Sequence, residues 1–240
     1  MAATTSRLGR VSTWLGRLCL LLALLGPALA HFDIVPPIAG FGTFGFGLLL
    51  GVLSLLLGIV ALLLGPAGTR GATAVGMAIP AVVVGAVVLM SGARDVPRIN
   101  DITTDTEAPP QFVRAGTLPE NTGRDMAYPG ITFAEQQKAG YPDLAPLMLA
   151  MPPDEAFKQV AATARSMPTW VITREDAEAR ALEGYDTSRL FHFRDDFVIE
   201  VRATSNGQSA VQMRSKSRDG KGDVGANAAR IRGFFARLQN

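Results

Sequence analysis

The chain has 240 residues, 48% of them hydrophobic and 18% charged, with 25 glycines, 15 prolines, one cysteine and a net charge of +2. These values fit one or two domains and exclude collagen-like, coiled-coil and disordered classes, and a single cysteine excludes a disulfide framework or a Cys-rich metal site. Among the charged residues only Arg7, Arg10, Arg17, Asp33 and Arg70 precede Arg94, so a membrane-embedded region, 1–93, is joined to a water-soluble one.

Taken in chain order, the first apolar stretch is Leu18 to Ala30, which follows three arginines and ends in Ala28-Leu29-Ala30. Such a segment is either a signal peptide, cut after a small-x-small pattern, or a span near 14–35. The apolar continuation through Phe32, Ile34 and Val35 favours the uncleaved span. Phe41 to Leu64 carries no charge and exceeds the ~20 residues that cross a bilayer core, which predicts a second span. A third is expected near 72–90, where Pro80 is tolerated if neighbouring groups satisfy the freed carbonyl. The link GPAGTRG is short, so the second and third helices are antiparallel neighbours.

With Arg7, Arg10, Arg17 and Arg70 on the inner side, residues after Met90 are expected outside. Arg94 and Arg98 count against this, but less than three N-terminal arginines without a compensating acid. The expectation is a multi-pass protein of the cell inner (cytoplasmic) membrane, in contact with the lipid bilayer, with an extracytoplasmic C-terminal domain. Gly47, Gly51, Gly58 and Gly65 recur on one helix face, either as a seam for a membrane protein partner or as packing against the third span, with Gly76, Ala81 and Gly85. No ionisable residue lies between Ile34 and Thr69 or between Gly71 and Met90, so a pump or transporter is not expected.

Residues 94–151 are rich in Pro, Gly, Asn, Asp and Thr without sustained periodicity and read as an extended, irregular arm. The α+β core is expected at 152–240. Pro152-Pro153-Asp154-Glu155 opens a helix, with acids in the first turn and Phe157, Val160, Ala161 and Ala164 as its apolar stripe, ended by Pro168. Short strands follow around Trp170, at Ala179 to Gly184 and at Arg189 to Phe193. The clearest unit is a hairpin in which Phe197, Ile199, Val201 and Ala203 share a face with Val211 and Met213. A three-residue loop, Ser205-Asn206-Gly207, sets Val201 opposite Val211, Ile199 opposite Met213 and Asp196 opposite Lys216; a two-residue Asn-Gly loop would pair apolar with polar residues. The other face carries Glu200, Arg202, Gln212 and Arg214. Val224, Ala228, Ile231, Phe235 and Leu238 then mark an amphipathic helix capped by Asp223. The fold class is thus a membrane-anchored α+β protein: about three N-terminal transmembrane helices, then an antiparallel sheet with helices packed on one face.

For chemistry, Gly220-x-Gly222-x-x-Gly225 follows a strand and opens a helix, but a dinucleotide fold requires a further parallel strand and an acid that the remaining residues do not supply. The same turn suits an anion. Arg214, Lys216, Arg218, Lys221 and Arg230 with the amides near Gly220 and Gly222 form a candidate site for an acidic lipid or cell-wall ligand. The structural alternative is that Asp223 caps the helix, Lys216 pairs with Asp196 and the arginines are solvated. Asn100, Asp101 and Asp105 form a candidate polar site in a run that ordinary turn chemistry also explains. His192 reads as a strand surface residue, and Cys19 lies in the first apolar stretch. HExxH, GxSxG, P-loop and CxxC motifs are absent, so no catalytic residue, metal or cofactor is assigned, and an enzyme would have to use Asp101, Asp105 or Asp195 with an arginine. The region after residue 93 is almost neutral, which gives no basis for nucleic-acid binding. The expected function is a membrane-tethered binding or assembly module for an anionic envelope ligand; the alternatives are an accessory subunit of a larger membrane complex and an envelope-directed enzyme.

At PRINDITTDTEAPP, YPDLAPL, FRDDFVIEVR and RSKSRDGKGDVGANAARIRGFFARL, the chain closely resembles the family of domain of unknown function 1499, uncharacterised proteins of bacteria and plants. The resemblance spans roughly Pro97 to Leu238, and the hydrophobic N-terminus matches membrane-anchored members. It implies no established activity. The family pattern points to Asn100, Asp101, Thr104 and Asp105, and to Arg214, Ser215, Ser217, Arg218, Asp223, Gly225, Asn227 and Arg230. Ala108 stands where an acid is expected before the Pro-Pro pair, which weakens a metal reading of the acidic arm.

Overall fold

A computed structural model describes residues 2–91 and 96–240; the side chains of 2–6, 71, 72, 75 and 88–91 lie outside the described residues, as does Arg94, which bears on the expected orientation. The chain forms two units. The first holds three helices and the short segment Arg189–His192, and the second holds the rest.

In the first unit, α1 is Ala2–His31, α2 is Pro37–Leu64 and α3 is Ala67–Ser91. α1 begins earlier and stops sooner than the expected span 14–35; Pro27 is accommodated inside it, and Asp33, just beyond its end, takes a left-handed backbone (φ 53°). Pro37, in the first turn of α2, has a preset φ that suits a helix start. Arg7–His31 and Pro37–Leu64 are long and apolar enough to cross a membrane, whereas the apolar stretch of α3 among the described residues is the shorter Gly76–Val87.

α1 and α2 run antiparallel: Gly26 meets Gly40 and Phe44, and Gly47 meets Cys19, Leu22 and Ala23. Ser12 and Ser54 each donate to the other's carbonyl, at 2.8 and 2.7 Å, which satisfies both buried hydroxyls. α3 runs parallel to α1, with Gly9 against Thr73 and Gly16 against Gly76 and Pro80. The glycine face of α2 is therefore occupied within the chain. Gly51 abuts Cys19 and Val84, and Gly58 abuts Met77 and Ser12. Gly65 lies beyond the helix as its C-cap.

The second unit is an antiparallel sheet of β1 (Asp101–Thr103), β2 (Leu147–Leu149), β3 (Trp170–Asp176), β4 (Ala181–Thr187), β5 (Arg194–Ala203) and β6 (Ser209–Ser217). Its order is β1-β6-β5-β4-β3, and β2 pairs with the other end of β6. The hairpin has the expected register: Val201 faces Val211, Ile199 faces Met213 and Asp196 faces Lys216. The Thr204 N–H donates to the Gln208 carbonyl, and Gly207 takes φ 78° to close the three-residue loop.

α5 (Pro153–Arg165) and α6 (Ala226–Leu238) cover one sheet face. Phe157, Val160 and Ala164 from α5 and Ala228, Ile231, Phe234 and Leu238 from α6 enclose Leu182, Phe197, Ile199, Val211 and Met213. Trp170 closes this core, with its ring 4.1 Å from Phe197 and 5.2 Å from Phe234. In α6 the buried aromatic is Phe234, with Phe235 at the margin, and Val224 is exposed at φ 53°, ahead of the helix. Asp223 does act as the cap, although α6 starts two residues further on: its carboxylate accepts the N–H groups of Gly225 and Asn227.

Three local expectations change. The strand placed at Ala179 lies at Ala181–Thr187. Arg189 to Phe193 is a turn, with His192 at φ 56° instead of in a strand. The segment read as an irregular arm contributes β1, β2 and α4 (Ile131–Gly140). α4 buries little besides Ala134 and Gln137, so it offers no apolar stripe from which to recognise it.

Candidate functional site: two buried ion clusters and a cleft

Side chains alternate across a strand, and in β5 and β6 this separates two sets of charges. Arg214 and Lys216 share one face with Asp101 and Asp196, while Ser215, Ser217 and Asp195 point to the helix-covered face.

On the first face Asp101 and Arg214 are both fully buried. Arg214 binds Asp101 in bidentate fashion, Nε to Oδ1 at 2.9 Å and Nη2 to Oδ2 at 2.8 Å, and Lys216 Nζ donates to the same Oδ2 at 2.8 Å. Two further guanidinium hydrogens reach the carbonyls of Pro110 and Met126, and the rings of Phe112 and Tyr128 flank the group. Tyr128 is pushed up to about 12, first by burial and then by Asp101, with Arg214 opposing. Asp196, opposite Lys216 in the ladder, pairs instead with Arg218 (2.6 Å) and accepts from Asn121 Nδ2 at 2.9 Å.

These charges hold residues 105–128 on the sheet. Glu183, fully buried in β4, accepts the backbone N–H groups of Val113, Arg114 and Ala115 at 2.9–3.0 Å. Gln137 acts as a surrogate strand: it accepts from Thr103 N at 3.0 Å and donates to Thr103 O at 2.6 Å. Asp105 caps its own turn through the N–H groups of Glu107 and Ala108.

The second cluster lies under α6. Arg230 binds Asp195 (2.6 Å) and Asp186 (2.9 Å), which are cross-strand neighbours, and donates to Ser215 Oγ and Asn227 Oδ1. Asn227 is fully buried and donates to Ser217 Oγ at 2.9 Å. Asp223 is raised, first by burial and further by the nearby Asp195, against the lowering effect of the N–H groups it accepts.

The residues expected to converge on one anion are thus divided. Arg214 and Lys216 lie on one side of the sheet and Arg230 on the other, and Arg214, Lys216, Arg218 and Arg230 are each matched by an internal carboxylate. Lys216 pairs with Asp101, not with Asp196 as the structural alternative had it. Gly220 and Gly222 form an exposed turn docked on the segment before β1: Asn100 Nδ2 donates to Gly220 O at 2.7 Å, and Gly222 packs against Arg98. Asn100, Asp101 and Asp105 do not share a pocket, since Asp101 faces Arg214, Asn100 the turn, and Asp105 a cleft.

That cleft, about 450 Å³, is lined by Thr104, Asp105, Thr106, Glu107, Gln137 and Lys138 with Tyr141, Pro142, Leu144 and Pro146. Among the described residues no three His, Cys, Asp or Glu side chains are grouped to hold a metal ion. Sequence reading missed Glu183, Asn121, Asp186 and Gln137. An acid between Leu182 and Gly184 in a short strand was the available signal for the first; the others have partners too distant in sequence to leave one.

A family model described as "Protein of unknown function (DUF1499)" matches residues 101–238. The chain belongs to this family. The matched segment contains the whole sheet, both ion clusters and the cleft, so the DUF1499 region and the α+β unit are nearly coextensive. No curated protein matches the chain.

Proposed function

We propose that the chain is a multi-pass protein of the inner (cytoplasmic) membrane, with α1, α2 and α3 as spans and the DUF1499 unit, outside, as a binding or assembly module. The observation that carries this is the separation of charge between the ends of the helical unit. α1 and α3 run parallel and α2 returns between them, so Arg7 and Arg10 at the start of α1 and Arg70 at the start of α3 gather at one end, while Asp33 follows α1 at the other. Arginines mark the inner side, and α3 ends at the opposite side, where Arg94 and Arg98 follow it but are outnumbered by Arg7, Arg10, Arg17 and Arg70.

The internal pairing of Arg214, Lys216, Arg218 and Arg230 supports a structural role for them. An anionic envelope ligand would meet the rim of the Gly220–Gly222 turn, where Arg98 and Lys221 are exposed. Protease added to sealed, right-side-out vesicles should digest the DUF1499 unit and spare the helices. Digestion only after the vesicles are opened would refute the orientation.

A further inference from the structure

The inner end of the helical unit is not closed. Between the N-terminal halves of α1 and α3 lies a groove of about 670 Å³, lined by Arg10, Trp14 and Arg17 from α1 and by Thr69, Thr73 and Gly76 from α3. Among the described residues, the wall that α3 contributes over its first three turns is made of the small Gly68, Thr69, Thr73 and Gly76, which leave the space unfilled. Arg10, Trp14 and Arg17 fall at intervals of four and three and share a helix face. All three are exposed, and Arg17 stands over the Trp14 ring at 5.4 Å. Among the described residues no carboxylate pairs with Arg10 or Arg17, and Asp33, the acid of this helical region, lies beyond the far end of α1.

This contrasts with the DUF1499 unit, where Arg214, Arg218 and Arg230 each meet an internal carboxylate. A second groove of about 360 Å³, lined by Val11, Trp14, Leu15, Arg17, Leu18 and Leu21, shares Trp14 and Arg17 with the first and is almost wholly apolar. A doubly cationic recess thus adjoins a shallow apolar strip on the surface of α1, with an interface-type tryptophan at their junction.

We propose that this composite groove is a binding site for an anionic diacyl phospholipid of the inner leaflet, and the inference rests on the membrane reading given above. Arg10 and Arg17 take the phosphate, for which guanidinium offers paired donors, and an acyl chain lies along Val11, Leu15, Leu18 and Leu21. Basic recesses between spans at the inner side suit anionic head groups in general. A free phosphate would use the two arginines but leave the apolar strip of α1 uncovered, which favours the lipid.

The test uses the full chain, purified in mild detergent and stripped of lipid. Phosphatidylglycerol should raise its unfolding temperature and bind saturably, whereas phosphatidylcholine with the same acyl chains, and inorganic phosphate, should not. Arg10→Gln/Arg17→Gln should weaken phosphatidylglycerol binding roughly tenfold or more, while Arg7→Gln, outside the groove, should leave it unchanged. Thr69→Phe, which fills the recess with both arginines intact, should weaken it as well. Equal responses to the two lipids, equal binding of phosphate, or an unchanged double variant would overturn the inference. An alkaline carbonate wash of native membranes separates the two claims: a chain retained in the pellet without lipid preference refutes the groove alone, and a chain released by the wash refutes the membrane reading.

Discussion

Asp101 is the residue on which the polar side of the sheet turns, because both of its oxygens are bound and two cations depend on it. Removing its charge leaves Arg214 buried without a counter-ion, and breaking such a pair costs ~3–5 kcal/mol. Asp101→Asn should therefore lower the thermal unfolding midpoint of the DUF1499 unit sharply, whereas Asp143→Asn, which breaks an exposed pair with Arg232, should cost at most about 1 kcal/mol. Similar losses for the two variants would show that the buried cluster does not hold the unit together. Asp223 makes a prediction of opposite kind. Its carboxyl is raised by burial, so the folded protein holds that proton more tightly than the unfolded chain, and the associated stability is present below the unfolded value and lost as pH rises through the folded one. Asp223→Asn keeps an acceptor for the helix N–H groups and cannot ionise. Its unfolding midpoint should gain on the wild type as pH rises above the unfolded carboxyl value and the wild-type Asp223 is forced to ionise in its buried place, and a difference that stays constant as pH rises would contradict the assignment.

At the scale of elements, glycines decide how closely the helices of the first unit approach. A side chain at Gly51 would meet Cys19 Sγ at 2.7 Å, and one at Gly58 would strike Met77, while Gly45 has open space around it. Gly51→Leu and Gly58→Leu should thus reduce the yield of folded, monodisperse protein in detergent severalfold, and Gly45→Leu should not. Loss of a co-purifying protein without loss of folding in the Gly51 variant would instead revive the partner seam. These glycines, the β5–β6 register and the α5 stripe were legible in the sequence because each is a local pattern of period two, three or four. The covering segment was not. Val113, Arg114 and Ala115 are held by Glu183 about 70 positions away, and Gln137 of α4 is buried for its pairing with Thr103, which no apolar periodicity announces. The pairings around the candidate anion site were hidden for a related reason: the basic residues lie near one another in sequence, but their partners Asp101, Asp186, Asp195 and Asp196 come from other strands, and Arg230 reaches the sheet from α6, on the face opposite Arg214.

At the scale of the molecule, an apolar helical unit with arginines at one end is joined to a family unit whose buried charges stabilise its own fold. Both the proposed display of the DUF1499 unit and the lipid groove follow from which end of the helices faces inward. The hairpin loop at Asn206 is exposed, and Cys19 is the one cysteine to remove. The most direct measurement is labelling of intact cells with a membrane-impermeant maleimide, using Asn206→Cys in a Cys19→Ser background. The account predicts labelling before lysis at the level reached after lysis; labelling that appears only once the cells are broken would contradict it.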